Sequence, residues 1–156
     1  VLKGSAIYFV PYFADSVGKF DTETEIFTTI SISGKVSGYA RYHGGVLKDN
    51  TIYFVPFMAD SIGKLDTESE SFTAIDISGK VPFGFKYWGG VLKGSAVYFV
   101  PHVADSIGKL DTETDTFTAI DISGKVPFGF KYWGGVLKGS AVYFVPHVAD
   151  SIGKLD

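Results

Sequence analysis

Residues 86–92 read KYWGGVL, and residues 131–137 read KYWGGVL again, 45 positions later. The phrase sets the frame for the whole chain. Aligning VLK at 1, 46, 91 and 136 gives units 1–45, 46–90 and 91–135, followed by a partial unit 136–156. The partial unit is identical to 91–111, and units two and three differ at few positions. Unit one has drifted furthest and carries His43 where the others carry Trp88 and Trp133. A fixed period of this length marks an array of stacked supersecondary units. Identity this high points to recent duplication or to design.

One unit reads as four strands. In unit three these are AVYFVPHV at 96–103, SIGKLD at 106–111, TFTAIDIS at 116–123 and, across the unit boundary, WGGVLK at 133–138. Aromatic and β-branched residues favour strands, and aromatics make up 16% of the chain. The strand at 96–103 is apolar on both alternating faces, so it is expected to be buried on both. KGS at 93–95 reads as a tight turn. DTETD at 111–115 reads as a hairpin loop in which Asp111 accepts backbone N–H groups two and three residues on. SGKVPFGFKY at 123–132 is too rich in Gly and Pro for a helix and suits a crossover between units. Apolar spacing of 3.6 residues is found nowhere.

Four short antiparallel strands per unit of 45 residues describe the blade of an all-β propeller. The predicted organisation is blade 1 at 1–45, blade 2 at 46–90, blade 3 at 91–135 and the first three strands of blade 4 at 136–156. The order of marks in VLKGSAVYFV…SIGKLDTETDTFTAI resembles a kelch-like repeat. Tyr98, Asp111 and Phe117 hold the marked places in unit three, Tyr53, Asp66 and Phe72 in unit two, and Tyr8, Asp21 and Phe27 in unit one. Kelch repeats carry a glycine pair after the tyrosine strand, where this chain has Val100-Pro101. Its own glycine pairs, Gly89–Gly90 and Gly134–Gly135, precede the inner strand. That placement predicts a packing duty for KYWGGVL, with glycine admitting close backbone approach and Tyr and Trp wedged between blades.

Three full units and a partial fourth leave the end blades with apolar faces to cover. Head-to-tail pairing with another copy of the chain, as a homodimeric ring of about eight blades, is the expected solution. A single-chain ring of four blades and a piece of a longer array are the alternatives.

Candidate chemistry gathers on one loop face, where the strand-two-to-three loops and the crossovers should emerge together. It would present Asp15-Ser16, Asp60-Ser61, Asp105-Ser106 and Asp150-Ser151 near Trp88, Trp133, His102 and His147. Carboxylate, hydroxyl and aromatic platform suit a carbohydrate or another small polar ligand. The plainer reading is that each Asp-Ser caps a recurring turn. His102 and His147 hold one repeat position on neighbouring blades and are expected to stand apart, at a tolerant surface or edge position. No further converging ligands accompany them at metal spacing, and DTETD lacks the calcium-loop pattern. The absence of nucleophile-elbow, phosphate-loop and HExxH patterns leads to an expectation of no catalysis and no cofactor. A net charge of −3 without a basic stripe speaks against nucleic acid. No apolar run reaches membrane length. Absence of cysteine excludes disulfides and thiolate metal sites. A symmetric scaffold, structural or protein-binding, is the first functional expectation, and a multivalent lectin-like module is the second.

Overall fold

The computed structural model describes residues 1–156 apart from 83 and 128. The crossovers at 77–86 and 122–131 each contain one of these two positions. Fifteen strands follow in chain order among the described residues, with no helix. They form four antiparallel sheets, each in sequence order. The first holds β1 (Leu2–Lys3), β2 (Ala6–Phe9), β3 (Ser16–Asp21) and β4 (Phe27–Ser31). The second holds β5 (Tyr42–Lys48), β6 (Thr51–Pro56), β7 (Ser61–Asp66) and β8 (Phe72–Asp76). The third holds β9 (Tyr87–Lys93), β10 (Ala96–Pro101), β11 (Ser106–Asp111) and β12 (Thr116–Asp121). The last has three strands, β13 (Tyr132–Lys138), β14 (Ala141–Pro146) and β15 (Gly153–Leu155). The chain divides into two compact units, Val1–Asp76 with the first two sheets and Ile77–Asp156 with the others.

The turns obey local chemistry. Asp111 Oδ1 accepts the N–H groups of Glu113 and Thr114 at 2.9 and 3.1 Å. Asp21 and Asp66 repeat the arrangement. The β9–β10 turn places Gly94 at φ +60°, a left-handed conformation that glycine adopts without a Cβ penalty.

Each unit packs one sheet on the next. In Val1–Asp76, Tyr8, Val17, Ile30 and Ile32 of the first sheet and the chain just beyond it bury against Tyr42, Phe54, Leu65 and Phe72 of the second. In Ile77–Asp156, Val91, Val100, Ile107 and Ile122 do the same against Tyr132, Val142 and Phe144. Every sheet therefore has a leading face rich in Phe and a trailing face of Val, Ile and Tyr.

The function of KYWGGVL follows. A Cβ on Gly135 would lie 2.9 Å from Val91 Cγ2 on the preceding sheet, and one on Gly45 would lie 2.9 Å from Val1 Cγ2. Glycine there sets the distance between inner strands. The register of β13 on β14 shifts between Tyr132 and Gly134. This irregularity lets Tyr132 turn into the core while Trp133 joins the aromatic cluster described below.

Candidate functional site

The loops after β2, β6, β10 and β14 lead into the Asp-Ser pairs, and a crossover reaches them at Asp15 in the first unit and at Asp105 in the second. Lys131, from the crossover into β13, has a side chain 0% exposed. Its Nζ donates to Val103 O at 3.0 Å and pairs with Asp105 Oδ1 at 2.9 Å. Its backbone N–H donates to His102 O at 2.7 Å, and its carbonyl accepts from His147 N at 2.9 Å. The crossover is thus buttoned to the third sheet on one side and the fourth on the other. A buried ammonium is tolerated because a carboxylate and a carbonyl replace water around it. Arg41 does the same in the first unit. Its guanidinium donates to Phe13 O and Ala14 O, both at 3.0 Å, and to Asp15 Oδ1 at 2.6 Å.

Asp15 and Asp105 are therefore engaged by the crossover cation, with carboxylates still open to solvent. Asp60 is exposed at the same repeat position, as is Asp150. Two of the serines turn towards a core tyrosine. Ser106 Oγ lies 3.1 Å from Tyr87 OH, and Ser61 Oγ lies 3.3 Å from Tyr42 OH. Burial pushes the pKa of both tyrosines up to about 12, and the serine hydrogen bond opposes the shift. Tyr132 is raised as well, by burial and then by the Asp150 charge, against a hydrogen bond with Ser151. Ser16 is half-buried at the start of β3.

The aromatic residues converge more tightly than expected. His102 and His147, predicted to stand apart, have ring centroids 5.7 Å apart with planes 6° from parallel. The crossover fastens their two strands together at Lys131, which brings the equivalent ring positions into contact. His102 is also buried, not on a tolerant surface, with Nδ1 3.4 Å from Tyr132 O. Trp133 stacks on His147 at 4.0 Å, and Trp88 meets Trp133 at 4.3 Å and His102 at 4.5 Å. Phe130 closes the group at 4.8 Å from His102. The Nδ1 atom of His147 is buried without a hydrogen-bond partner. In the first unit Tyr12, His43 and Phe57 form a looser version at 5.7–6.2 Å.

Four of the candidate residues, Trp88, Trp133, His102 and His147, thus form one cluster. Asp15 and Asp105 take part in the sheet-to-sheet fastening beside it. An open cleft of about 270 Å³ lies by Asp105, lined by Pro82, Phe85, Lys86, Val103 and Ala104. Among the described residues no group of three His, Asp or Glu side chains could hold a metal. The sequence reading did not single out Arg41 and Lys131. Their signal was the cation recurring just before Tyr at 41, 86 and 131.

No family model and no curated protein matches the chain. Solved structures do. Streptogramin B lyase superposes with a TM-score of 0.75 at 22% identity, over 99% of this chain and 49% of that one. A chain of the nidogen/laminin complex gives 0.70 at 11% identity, over 98% and 56%. Kuenenia stuttgartiensis hydrazine synthase gives 0.71 at 15%, over 98% and 43%. The chain therefore spans about half the length of these structures, and likeness at such identities concerns architecture alone. The fold is an all-β propeller of four-stranded antiparallel blades, with a partial fourth blade.

Proposed function

We propose that this 156-residue chain is a self-assembling propeller scaffold, in which the trailing face of the last sheet docks on the leading face of the first sheet of a second copy. One observation carries the reading: repeat-equivalent residues are buried where a neighbouring sheet covers them and exposed where none does. Ile107, covered by the fourth sheet, is 6% exposed, and its equivalent Ile152 is 69% exposed. Phe72, covered by the first sheet, is 3% exposed, and its equivalent Phe27 is 59% exposed. Tyr143, Val145 and Val136 extend the open trailing face, and Phe9 extends the leading one. Both sides of the contact are already built inside each unit, so the two open faces fit one another by sequence. Burying each large side chain contributes roughly 1.5–3 kcal/mol.

The kelch likeness rests on three marks that have plain duties here. The aspartate closes the hairpin, the phenylalanine packs on a cross-strand glycine, and the tyrosine lies on the trailing face. The sugar-binding alternative rests on the part-exposed rings of Trp133 and Phe130, and these fit no ligand class more than another.

Paired variants test the scaffold reading. Phe27→Glu blocks the leading face and Ile152→Lys the trailing one, both at exposed positions. Each variant alone should run as a monomer by light scattering. An equimolar mixture should recover the dimer mass, because it offers one intact contact and one Glu–Lys contact. Dimers from either variant alone, or a mixture that stays monomeric, would refute head-to-tail docking.

A further inference from the structure

The cleft beside Asp105 is built within Ile77–Asp156, from the crossover into β9 and the loop between β10 and β11. Three backbone bonds fix its walls. The N–H groups of His102 and Ala104 donate to Lys86 O at 2.9 and 3.4 Å, and that of Val103 donates to Phe85 O at 3.0 Å. The crossover and the loop are thereby held at a set separation.

The side chains around the cleft narrow what it can recognise. Pro82, Val103 and Ala104 are apolar, and the Phe85 ring is 41% exposed. Lys86 is buried, so its ammonium faces no ligand in solution. Asp105 supplies the one solvent-facing polar side chain of this lining. Lys131 Nζ holds its Oδ1 at 2.9 Å, which fixes the carboxylate and leaves Oδ2 unengaged among the described residues. An ionised carboxylate only accepts hydrogen bonds, at about four lone-pair sites. The complement of such a lining is a cationic donor on an apolar stem.

Volume and ring decide the rest. At about 270 Å³ the open cleft falls below the roughly 300 Å³ at which small-molecule pockets begin. One side chain presented by another surface suits it better than a whole small molecule. Arginine suits it better than lysine, because a guanidinium stacks on an aromatic face and is less strongly hydrated than an ammonium. The chain itself holds a precedent. At the same repeat position Asp15 accepts the Arg41 guanidinium at 2.6 Å.

We propose that this cleft receives an arginine side chain of a partner polypeptide, with its stem along Pro82 and Val103 and its guanidinium on the Phe85 ring, donating to Asp105 Oδ2. The site lies within one compact unit and is independent of the docking between copies.

The probe is the peptide acetyl-Gly-Gly-Arg-Gly-Gly-amide, titrated at low salt into the isotope-labelled full chain and followed by amide chemical shifts. The expected result is a saturable shift of Phe85, Val103, Ala104 and Asp105, with a Kd of about 1–10 mM. The same peptide with citrulline, which keeps the shape without the charge, should bind about fivefold more weakly. Asp105→Asn should weaken the arginine peptide by about the same factor. Phe85→Ala should weaken it about threefold; this ring is part-exposed, and the variant keeps the test decisive if Asp105→Asn disturbs the fold. Shifts that stay linear up to about 100 mM, or that centre on residues away from the cleft, would overturn the proposal. So would equal affinity for the arginine and citrulline peptides, or an affinity that Phe85→Ala leaves unmoved.

Discussion

Asp105 and Asp150 sit in the same nine residues, VADSIGKLD, yet only one of them has a crossover cation. Replacing each with alanine asks whether surroundings or sequence sets its contribution. Removing Asp105 leaves the Lys131 ammonium, 0% exposed, with Val103 O as its remaining partner. Breaking a fully buried pair costs about 3–5 kcal/mol. The Asp105 carboxylate is 55% exposed, so water screens the pair, and the expected cost falls to about 1–2 kcal/mol. Asp150 is exposed and pairs with no cation among the described residues, so Asp150→Ala should stay within about 0.5 kcal/mol. Urea denaturation at pH 7 and one fixed protein concentration measures both. A Lys131→Met background should shrink the Asp105 effect, since the charge that needs the carboxylate has gone. Equal costs for the two substitutions, or an Asp105 effect unchanged by Lys131→Met, would refute the fastening.

Other outcomes follow from the same geometry. Phe117→Ala should cost about 3–5 kcal/mol in thermal or urea unfolding, whereas Phe27→Ala, at an exposed ring, should cost far less in the monomer. Gly108→Ala should destabilise by about 1–3 kcal/mol, because a Cβ there meets Phe99, Phe117 and Tyr87 within 3.0 Å. Gly94→Ala should cost about 1 kcal/mol, from its positive φ alone, since no atom lies within 4 Å of the added carbon. Asp66 and Asp111 are held below the ordinary carboxylate value, first by backbone N–H bonds in their hairpins. A folded pKa below the unfolded one gives stability that is complete above the unfolded value of about 3.9. It is lost as pH falls through the lower folded value. Asp111→Asn should therefore flatten the acid limb of a plot of urea midpoint against pH.

Most of the strand layout was legible because each signal was local. Alternating apolar residues, Asp-led hairpins and glycine turns act within a few positions, and the period copies them. Three of the four predicted strands in the third unit began within a residue of where they form, and the fourth, at 106–111, matched throughout. The ends of AVYFVPHV and TFTAIDIS bend away instead, because Pro101 closes one ladder and the crossover begins after Asp121. The site was less legible. Lysine ordinarily lies at the surface, so nothing local marks Lys131 as buried; its burial comes from the crossover bridging two sheets. Likewise His102 and His147 stand 45 positions apart, and only the fastening of adjacent strands brings their rings into contact. The packing of a ring on the glycine of the third strand had a trace in the sequence, a glycine recurring at 18, 63 and 108, but its meaning depends on a phenylalanine from another strand.

The most direct test of the assembly is the mass of the unmodified chain in solution, by light scattering after size exclusion across a hundredfold range of concentration. Head-to-tail docking predicts one species at twice the 16.9 kDa chain mass, separating into monomers only at the dilute end. A mass of 16.9 kDa at every concentration, or a ladder of masses that grows without limit, would contradict it.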